Sequence, residues 1–110
     1  MTEFSSQMEE CIDKCLMCYR VCTAAAMNHC LEVGGEHTEP LHFKLMIACA
    51  EICRTSAHFM LIGSPHHKHV CRECAEICFE CARDCERIGD MNDCVEACRS
   101  CGESCQHMAA

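Results

Sequence analysis

Sixteen of the 110 residues are cysteines, and most of them recur at alternating steps of three and four residues. Steps of this kind place side chains on one face of an α-helix. Thiolates are soft ligands, which select Cu(I), Zn(II) or iron–sulfur clusters and leave calcium and magnesium to oxygen donors. The pattern therefore predicts helices that carry rows of metal ligands. The rows are Cys11, Cys15, Cys18, Cys22 and Cys30; Cys49 and Cys53; Cys71, Cys74, Cys78, Cys81 and Cys85; and Cys94, Cys98, Cys101 and Cys105.

Glycine, proline and capping residues divide the chain into four helical segments. Serine, threonine or aspartate at a helix start accepts hydrogen bonds from backbone N–H groups, and proline suits the first turn. Glycine commonly follows the last helical residue. The third segment, Pro65 to Ile88, illustrates the pattern. The predicted starts are Ser6 with Glu9 as a capping box, Thr38 with Pro40, Ser64 with Pro65, and Asp90, and the predicted ends are Gly34-Gly35, Gly63 and Gly89.

Loops this short make successive helices antiparallel neighbours. The sequence predicts an all-α fold, an antiparallel up-down-up-down four-helix bundle, and its length fits one domain over residues 1–110. Cysteines take the inward positions that leucine and isoleucine occupy in an ordinary bundle. One buried cysteine often acts as a small hydrophobic residue, but whole rows of small side chains would leave destabilising cavities. We therefore expect a cysteine-lined core that holds metal.

The second helix departs from the pattern, because its inward row contains only two thiols. The remaining inward positions, and the ends of the other rows, carry methionine and histidine, which also suit Cu(I). His29, His37 and His107 are looser candidates, whereas His58 and His69 are expected at the surface, and Met17 and Met27 are expected to pack. The candidate additional ligands are Met8, Met60, His67 and Met108 at one end of the bundle and His42, Met46 and Met91 at the other.

The spacing favours Cu(I) among the soft metals. Thiols three or four residues apart on a helix lie about 5–6 Å apart at Cβ, close enough to hold one Cu(I) between them. Zinc needs four ligands from facing helices, and iron–sulfur clusters are also held by cysteine. A zinc-thiolate protein and an electron-transfer iron–sulfur protein therefore remain alternatives. Neither explains why the rows continue through the whole bundle.

Composition excludes several other classes of function. The formal charge of −8 and the lack of a Lys/Arg cluster argue against nucleic acid or an anionic membrane as partner. The first ten residues have no basic start and no apolar stretch, so we expect no secretion signal and a reducing, cytoplasmic location. No cysteine stands apart with its own histidine and acid. An enzyme is therefore not expected.

The repeated C-x-x-x-C and C-x-x-C steps, combined with four helices of this length, closely resemble the cytosolic copper storage proteins across the whole chain. The resemblance implies a homotetramer of four-helix bundles that binds many Cu(I) ions through cysteine thiolates. It implies storage and sequestration of copper, with unidentified copper donors or acceptors, and no enzymatic activity. Only Cys49 and Cys53 supply thiols on the second helix, so the sites facing it are the least defined.

The second helix is also the expected surface for self-association. Its outer face carries apolar residues, among them Phe43, Ile47 and Leu61, and few charges. Exposed apolar surface of this kind is typical of contacts between identical subunits.

Overall fold

The computed structural model describes residues 4–110. Helix α1 (Ser6–Ala24) continues through a π-helical stretch (Ala25–Cys30) into a last helical turn (Leu31–Val33). After a 3₁₀ turn (Gly35–Thr38) come α2 (Pro40–Leu61), α3 (His67–Ile88) and α4 (Asn92–Ala109). No strand occurs among the described residues. The all-α prediction is confirmed, while residues 1–3 of the expected 1–110 domain lie outside the described part.

The four helices form one ring around a shared core. Each helix packs against its neighbour in sequence, and α1 packs against α4 to close the ring. The molecule measures 45 × 24 × 19 Å, so it is about two helices wide in each short direction. This is the predicted up-down-up-down four-helix bundle.

The predicted helix ends are confirmed. Gly63 and Gly89 follow the last turns of α2 and α3 with φ of +70° and +85°, a conformation that favours glycine. The Gly63 N–H donates to the Met60 carbonyl oxygen and the Gly89 N–H to the Cys85 carbonyl oxygen. The carbonyl groups of each last turn thereby gain the partners that the helix itself does not provide.

Three of the predicted helix starts are wrong by one to two residues, and a fourth is right only in part. The cap of α1 is Ser5 and not Ser6, because the Ser5 hydroxyl accepts from the Met8 N–H at 3.1 Å. Before α2, Thr38 bonds back to the Gly35 carbonyl, and Glu39 takes the capping position ahead of the correctly predicted Pro40.

The starts of α3 and α4 differ for a related reason. Ser64 accepts from the His66 N–H at 3.1 Å, which closes a turn containing Pro65, and α3 begins only at His67. Asp90 adopts a φ of +57° in the loop, and α4 begins at Asn92 without a side-chain cap. Ser64 shapes its connection through its side chain and Asp90 through its backbone conformation, and neither residue caps the helix.

The π-helical stretch keeps Cys30 in the inward row. Cys22, Ala26 and Cys30 follow one another in steps of four, and all three are fully buried. In a regular α-helix these two steps would rotate Cys30 about 80° away from Cys22. A π-helix has i→i+5 hydrogen bonds and therefore accommodates more residues in each turn. The thiol row consequently reaches the end of the bundle.

The outer surface contains some residues that were expected to pack. Met17 and Met27 are 52% and 43% exposed, so the prediction that they are packing residues is wrong. Ile47 and Leu61 of α2 are exposed as predicted, and so is Leu41, whereas Phe43 is only partly exposed and packs against the core. None of the helices in residues 4–110 is long and apolar enough to cross a membrane.

Candidate metal centre

All sixteen cysteines lie in the core as free thiols. Fifteen have no exposed surface, and Cys94 is 2% exposed. The helices thus place every predicted thiolate ligand inside the bundle. The distances between the sulfur atoms show which of these thiols are close enough to bind the same metal ion.

The rows meet along the bundle axis and form overlapping groups of thiols. In each of five groups, all Sγ atoms lie within 4.8 Å of one another. Consecutive groups share one or two cysteines, so the groups form a continuous chain from Cys22 to Cys11. In order along the axis they are Cys18, Cys22, Cys49 and Cys98; Cys18, Cys49, Cys53 and Cys78; Cys53, Cys74, Cys78 and Cys101; Cys15, Cys74, Cys101 and Cys105; and Cys11, Cys71 and Cys105.

Thiols from different helices are as close as thiols on the same helix. The Sγ atom of Cys53 lies 3.5 Å from that of Cys78 on α3 and 3.7 Å from that of Cys101 on α4. The Sγ atoms of Cys74 and Cys78, one turn apart on α3, are 3.9 Å apart. The two thiols of α2 are therefore integrated into the chain, although α2 supplies so few.

The sharing of thiols bears on which metal fits. A tetrahedral zinc site has Zn–S bonds of about 2.3 Å, and hence sulfur atoms about 3.8 Å apart. One group taken alone, such as the one that contains Cys53 and Cys74, meets this requirement. Neighbouring groups share sulfur atoms, however, so zinc ions in all of them would be bridged by thiolates and no ion would keep four thiolates of its own. A continuous row of bridged sulfur atoms suits a monovalent ion of low coordination number.

Four thiols at one end of the bundle lie outside these groups. They are Cys30, Cys81, Cys85 and Cys94. Here thioethers stand next to thiols: Met46 Sδ lies 3.6 Å from Cys81 Sγ and 3.4 Å from Cys85 Sγ. Met91 Sδ and His37 Nδ1 each lie 3.7 Å from Cys30 Sγ. We call this the histidine end.

Imidazole rings extend the histidine end beyond the thiols. The ring of His37 lies between those of His29 and His42, with centroids 5.1 and 6.5 Å away. Both His37 and His42 are buried. His42 Nδ1 lies 2.7 Å from Asp84 Oδ2 on α3. His42, Met46 and Met91 therefore occupy the positions predicted for them, and His37 and Asp84 join them.

The opposite end carries fewer buried candidate ligands. Met60 is fully buried, whereas Met8, His67 and Met108 are only partly buried beside the core. His67 Nδ1 is 2.8 Å from the Ser64 carbonyl oxygen, so it serves the turn before α3. Nearby, the buried Ser56 hydroxyl lies 3.3 Å from Cys71 Sγ.

Burial disfavours the charged form of these thiols. Desolvation raises the pKa of Cys30 above its ordinary value. The pKa of Cys71 is raised to about 11: the hydrogen bond to Cys105 lowers it, but the hydrogen bond to Cys11 and desolvation together outweigh that effect. A cation that binds Cys30 or Cys71 must therefore displace the protons of these thiols.

Hydrogen bonds have the opposite effect on Asp84. Burial by itself raises the pKa of this carboxyl group, but hydrogen bonds from Arg87 and His42 hold it below its usual range. Arg87 Nε donates to Asp84 Oδ1 at 2.9 Å. Asp84 is thus ionised at neutral pH and fixed on both sides.

The sequence did not predict the contacts of three residues with the thiols and their neighbouring ligands. Ser56 follows Cys53 by three residues, so the same spacing rule includes it, but its side chain was not considered as part of the row. His37 was a loose candidate with no indication that the 3₁₀ turn brings it to Cys30. Asp84 precedes Cys85 on α3 and had no visible partner, because only the fold brings α2 alongside it.

His58 and His69 are exposed, as predicted, and the loose candidate His107 is exposed as well. His29 is partly buried and lies 3.5 Å from Asp90 Oδ2. These four histidines are accordingly not part of the buried chain of sulfur atoms.

Known proteins share both this sequence pattern and this bundle. The chain is 53% identical to the Nmul_A1745 protein from Nitrosospira multiformis, with a TM-score of 0.92 over 94% of each chain. It is 33% identical to a Cu(I)-bound copper storage protein, BsCsp3, with a TM-score of 0.88 over 96% of this chain and 100% of the other. It is also 34% identical to the uncharacterized cysteine-rich protein YhjQ from Bacillus subtilis (strain 168), over 70% of each sequence.

The sequence profile of the family described as "Csp: Copper storage protein" matches residues 4–110, which is nearly the entire chain. The chain belongs to the Csp family of copper storage proteins.

Proposed function

We propose that this protein stores Cu(I) by binding many ions to cysteine thiolates inside the bundle. The observation that carries the proposal is the unbroken chain of shared thiol groups, which runs from Cys22 to Cys11. Family membership and the Cu(I)-bound relative support the identity of the metal. Soft thiolates suit Cu(I), and the buried location isolates the ion from solvent.

The arrangement sets the expected capacity. If every Cu(I) uses two sulfur atoms of its own, sixteen cysteines hold about eight ions, and if every sulfur bridges two ions they hold about sixteen. Electrostatics favours the upper part of this range. Sixteen thiolates in a low-dielectric core repel one another unless a similar number of monovalent cations neutralises them.

The ligands of this store are the sixteen cysteines. At the histidine end, His42, Met46 and Met91 are proposed as weaker ligands that serve transfer between solvent and the thiolates. The same role is proposed for Met8, Met60, His67 and Met108 at the other end. Their partial burial gives them less support, because only Met60 is enclosed by the core.

Several properties of the whole protein belong to the same proposal. We propose a single metal-binding domain without catalytic activity, located in the cytoplasm, where thiols stay reduced. We also propose a homo-oligomer, a tetramer by resemblance to the family. The exposed apolar residues Leu41, Ile47 and Leu61 on α2 support self-association. Proteins that donate copper to the store or accept copper from it are part of the same proposal.

Direct competition between metals tests the proposal. The reduced, metal-free protein is titrated anaerobically with Cu(I) in the presence of equimolar Zn(II) and a Cu(I) chelator of known affinity. We expect Cu(I) to exclude zinc and to fill many sites per chain. Tighter retention of zinc, or saturation at one or two Cu(I) per chain, would contradict copper storage.

A further inference from the structure

The histidine end contains a buried imidazole with one unpaired nitrogen. The side chain of His42 has no exposed surface. Its Nδ1 atom is paired with Asp84, whereas its Nε2 atom is buried and has no hydrogen-bond partner within residues 4–110. Burying an unpaired polar atom costs free energy, so such an atom in a folded protein calls for an explanation.

The pairing with Asp84 decides which nitrogen carries the proton. An ionised carboxylate only accepts hydrogen bonds. At 2.7 Å from Asp84 Oδ2, Nδ1 must therefore be the donor and carry the hydrogen. In the neutral ring, Nε2 is then left with a free lone pair and without a proton. A nitrogen in this state can bind a metal ion.

Asp84 is itself held in place by the neighbouring elements. Arg87 donates to Asp84 Oδ1 at 2.9 Å, and the same guanidinium lies 3.8 Å from Glu39 at the start of α2. The carboxylate therefore stays between α3 and α2, where it meets His42. Metal-binding histidines commonly donate their other N–H to a carboxylate, which fixes the ring and increases its basicity.

The position of His42 along α2 places it next to soft ligands. It lies one turn before Met46, whose Sδ atom is 3.4 Å from Cys85 Sγ. On the other side, the His37 ring lies 6.5 Å from the His42 ring. His42 therefore follows the last sulfur atoms of the row, where the thiols give way to thioether and imidazole.

We propose that Asp84 is a positioning residue, which fixes His42 in the Nδ1–H tautomer so that Nε2 binds Cu(I) at the histidine end. The inference rests on the proposed copper storage and adds to it a specific outer ligand and the residue that orients it. In this proposal Asp84 acts through His42 and does not contact the metal. Because Arg87 is not a proposed copper ligand, we expect its ion pair with Asp84 to be present with and without copper.

Nitrogen-15 NMR of the histidine side chains tests the tautomer in the reduced, metal-free protein. We expect His42 to show a single tautomer with the proton on Nδ1. In Asp84→Asn we expect that single tautomer to be lost, because the amide can donate as well as accept. Asp84→Glu should restore it at least in part. The matched control is Glu80→Gln, one turn earlier on the exposed side of α3, which should resemble the wild type.

Copper loading tests the ligand. Cu(I) is diamagnetic, so the same nitrogen resonances can be followed as the wild-type protein is filled, and we expect the Nε2 resonance of His42 to shift. A proton on Nε2 in the metal-free wild type would overturn the proposal. So would an Asp84→Asn variant that folds and keeps the wild-type tautomer, or an Nε2 resonance that is unmoved at full loading.

The wild-type measurements decide the matter even if Asp84→Asn does not fold. Copper uptake with an unmoved His42 resonance refutes only the role of His42 and Asp84. No uptake at all refutes the proposed function instead, while the tautomer in the metal-free protein still shows whether Asp84 orients the ring.

Discussion

At the scale of single residues, burial gives the thiols two opposed properties. Cys30 and Cys71, whose pKa values are raised, avoid ionisation while the core is empty, whereas hydrogen bonds from Cys22 and Cys85 lower the pKa of Cys94 to about 4. Cys30 and Cys71 must nevertheless lose their protons to bind Cu(I). Copper binding is thus coupled to proton release, and acid should weaken it.

The same pKa values predict how the stability of the metal-free protein depends on pH. Between the ordinary thiol pKa of 9.0 and about 11, Cys71 keeps its proton in the folded state and loses it in the unfolded state. The unfolded state then binds fewer protons, so the free energy of unfolding falls as pH rises. We expect a loss of roughly 2 kcal/mol from this thiol across the range.

Urea unfolding of the reduced, metal-free protein at pH 8, 9.5 and 10.5 measures this dependence. The Cys71→Ser variant is the control, because it lacks the titrating thiol and should lose less stability. If the wild type and Cys71→Ser show the same dependence of the free energy of unfolding on pH, the raised pKa of Cys71 is contradicted.

Gly102 on α4 shows how a single residue sets the distance between two helices. A Cβ atom added at Gly102 would lie 2.9 Å from the Phe79 ring on α3. In Gly102→Ala the gain in helix propensity, about 1 kcal/mol, opposes this contact, so the net change should be small. Gly102→Val should destabilise the protein by ~1–3 kcal/mol, because the larger side chain forces α3 and α4 apart.

Thermal unfolding of these variants checks the expectation. Adding Phe79→Leu to Gly102→Val removes the ring from the contact and should restore part of the lost stability. If Phe79→Leu brings no recovery, the ring does not set the helix distance.

At the scale of the helices, sequence spacing predicted the rows of ligands but not every detail of the helix ends. The steps of three and four residues placed Cys71 and its row correctly, because one regular helix carries them all. They did not predict the π-helical stretch before Cys30, which depends on which turn the neighbouring helices stabilise. The capping residues were misassigned at Ser64 and Asp90, because a polar side chain before a helix can close the loop as readily as cap the helix.

Contacts between helices could not be predicted from the sequence, because spacing along one helix does not show which residues of another helix lie beside it. Asp84 and His42 are 42 positions apart, and each alone resembles an ordinary residue of its type. Local spacing defines a helical face, whereas the packing of the bundle decides what each face meets.

Mutation should remove the thiols of a helix without unfolding the helix that carries them. Replacing the cysteines of α3 and α4 by serine should remove over half of the copper capacity, because these two helices supply most of the thiols. Helicity should persist in the metal-free variant, since helix capping and the apolar residues Ile12 and Val95 do not depend on metal. The residues to replace are Cys71, Cys74, Cys78, Cys81, Cys85, Cys94, Cys98, Cys101 and Cys105.

Circular dichroism and Cu(I) titration of this variant provide the two readouts. Unchanged capacity would show that copper binds elsewhere. A random-coil spectrum for the reduced, metal-free wild type would show that metal nucleates the fold, in contrast to the bundle described above.

At the scale of the whole molecule, the apolar residues exposed on α2 predict self-association. Leu41, Ile47 and Leu61 are exposed in one chain, and burial between identical subunits would stabilise the assembly. Ile47→Glu combined with Leu61→Glu should dissociate the oligomer without reducing the copper bound per chain. Leu31→Glu, at the exposed end of the first helix, is the matched control.

Light scattering at micromolar concentration measures the mass of each variant. A wild-type mass of 12.3 kDa, that of one chain, would contradict self-association. Dissociation by Leu31→Glu alone would place the interface elsewhere on the surface.

The central claim is that the buried chain of thiols is the copper store, and anomalous X-ray diffraction from crystals of the Cu(I)-loaded protein tests it most directly. The account predicts about eight to sixteen copper ions per chain, aligned along the bundle axis and bridged by cysteine sulfur atoms. One or two ions, or ions bound mainly on the surface while Cys53, Cys78 and Cys101 remain free, would contradict it.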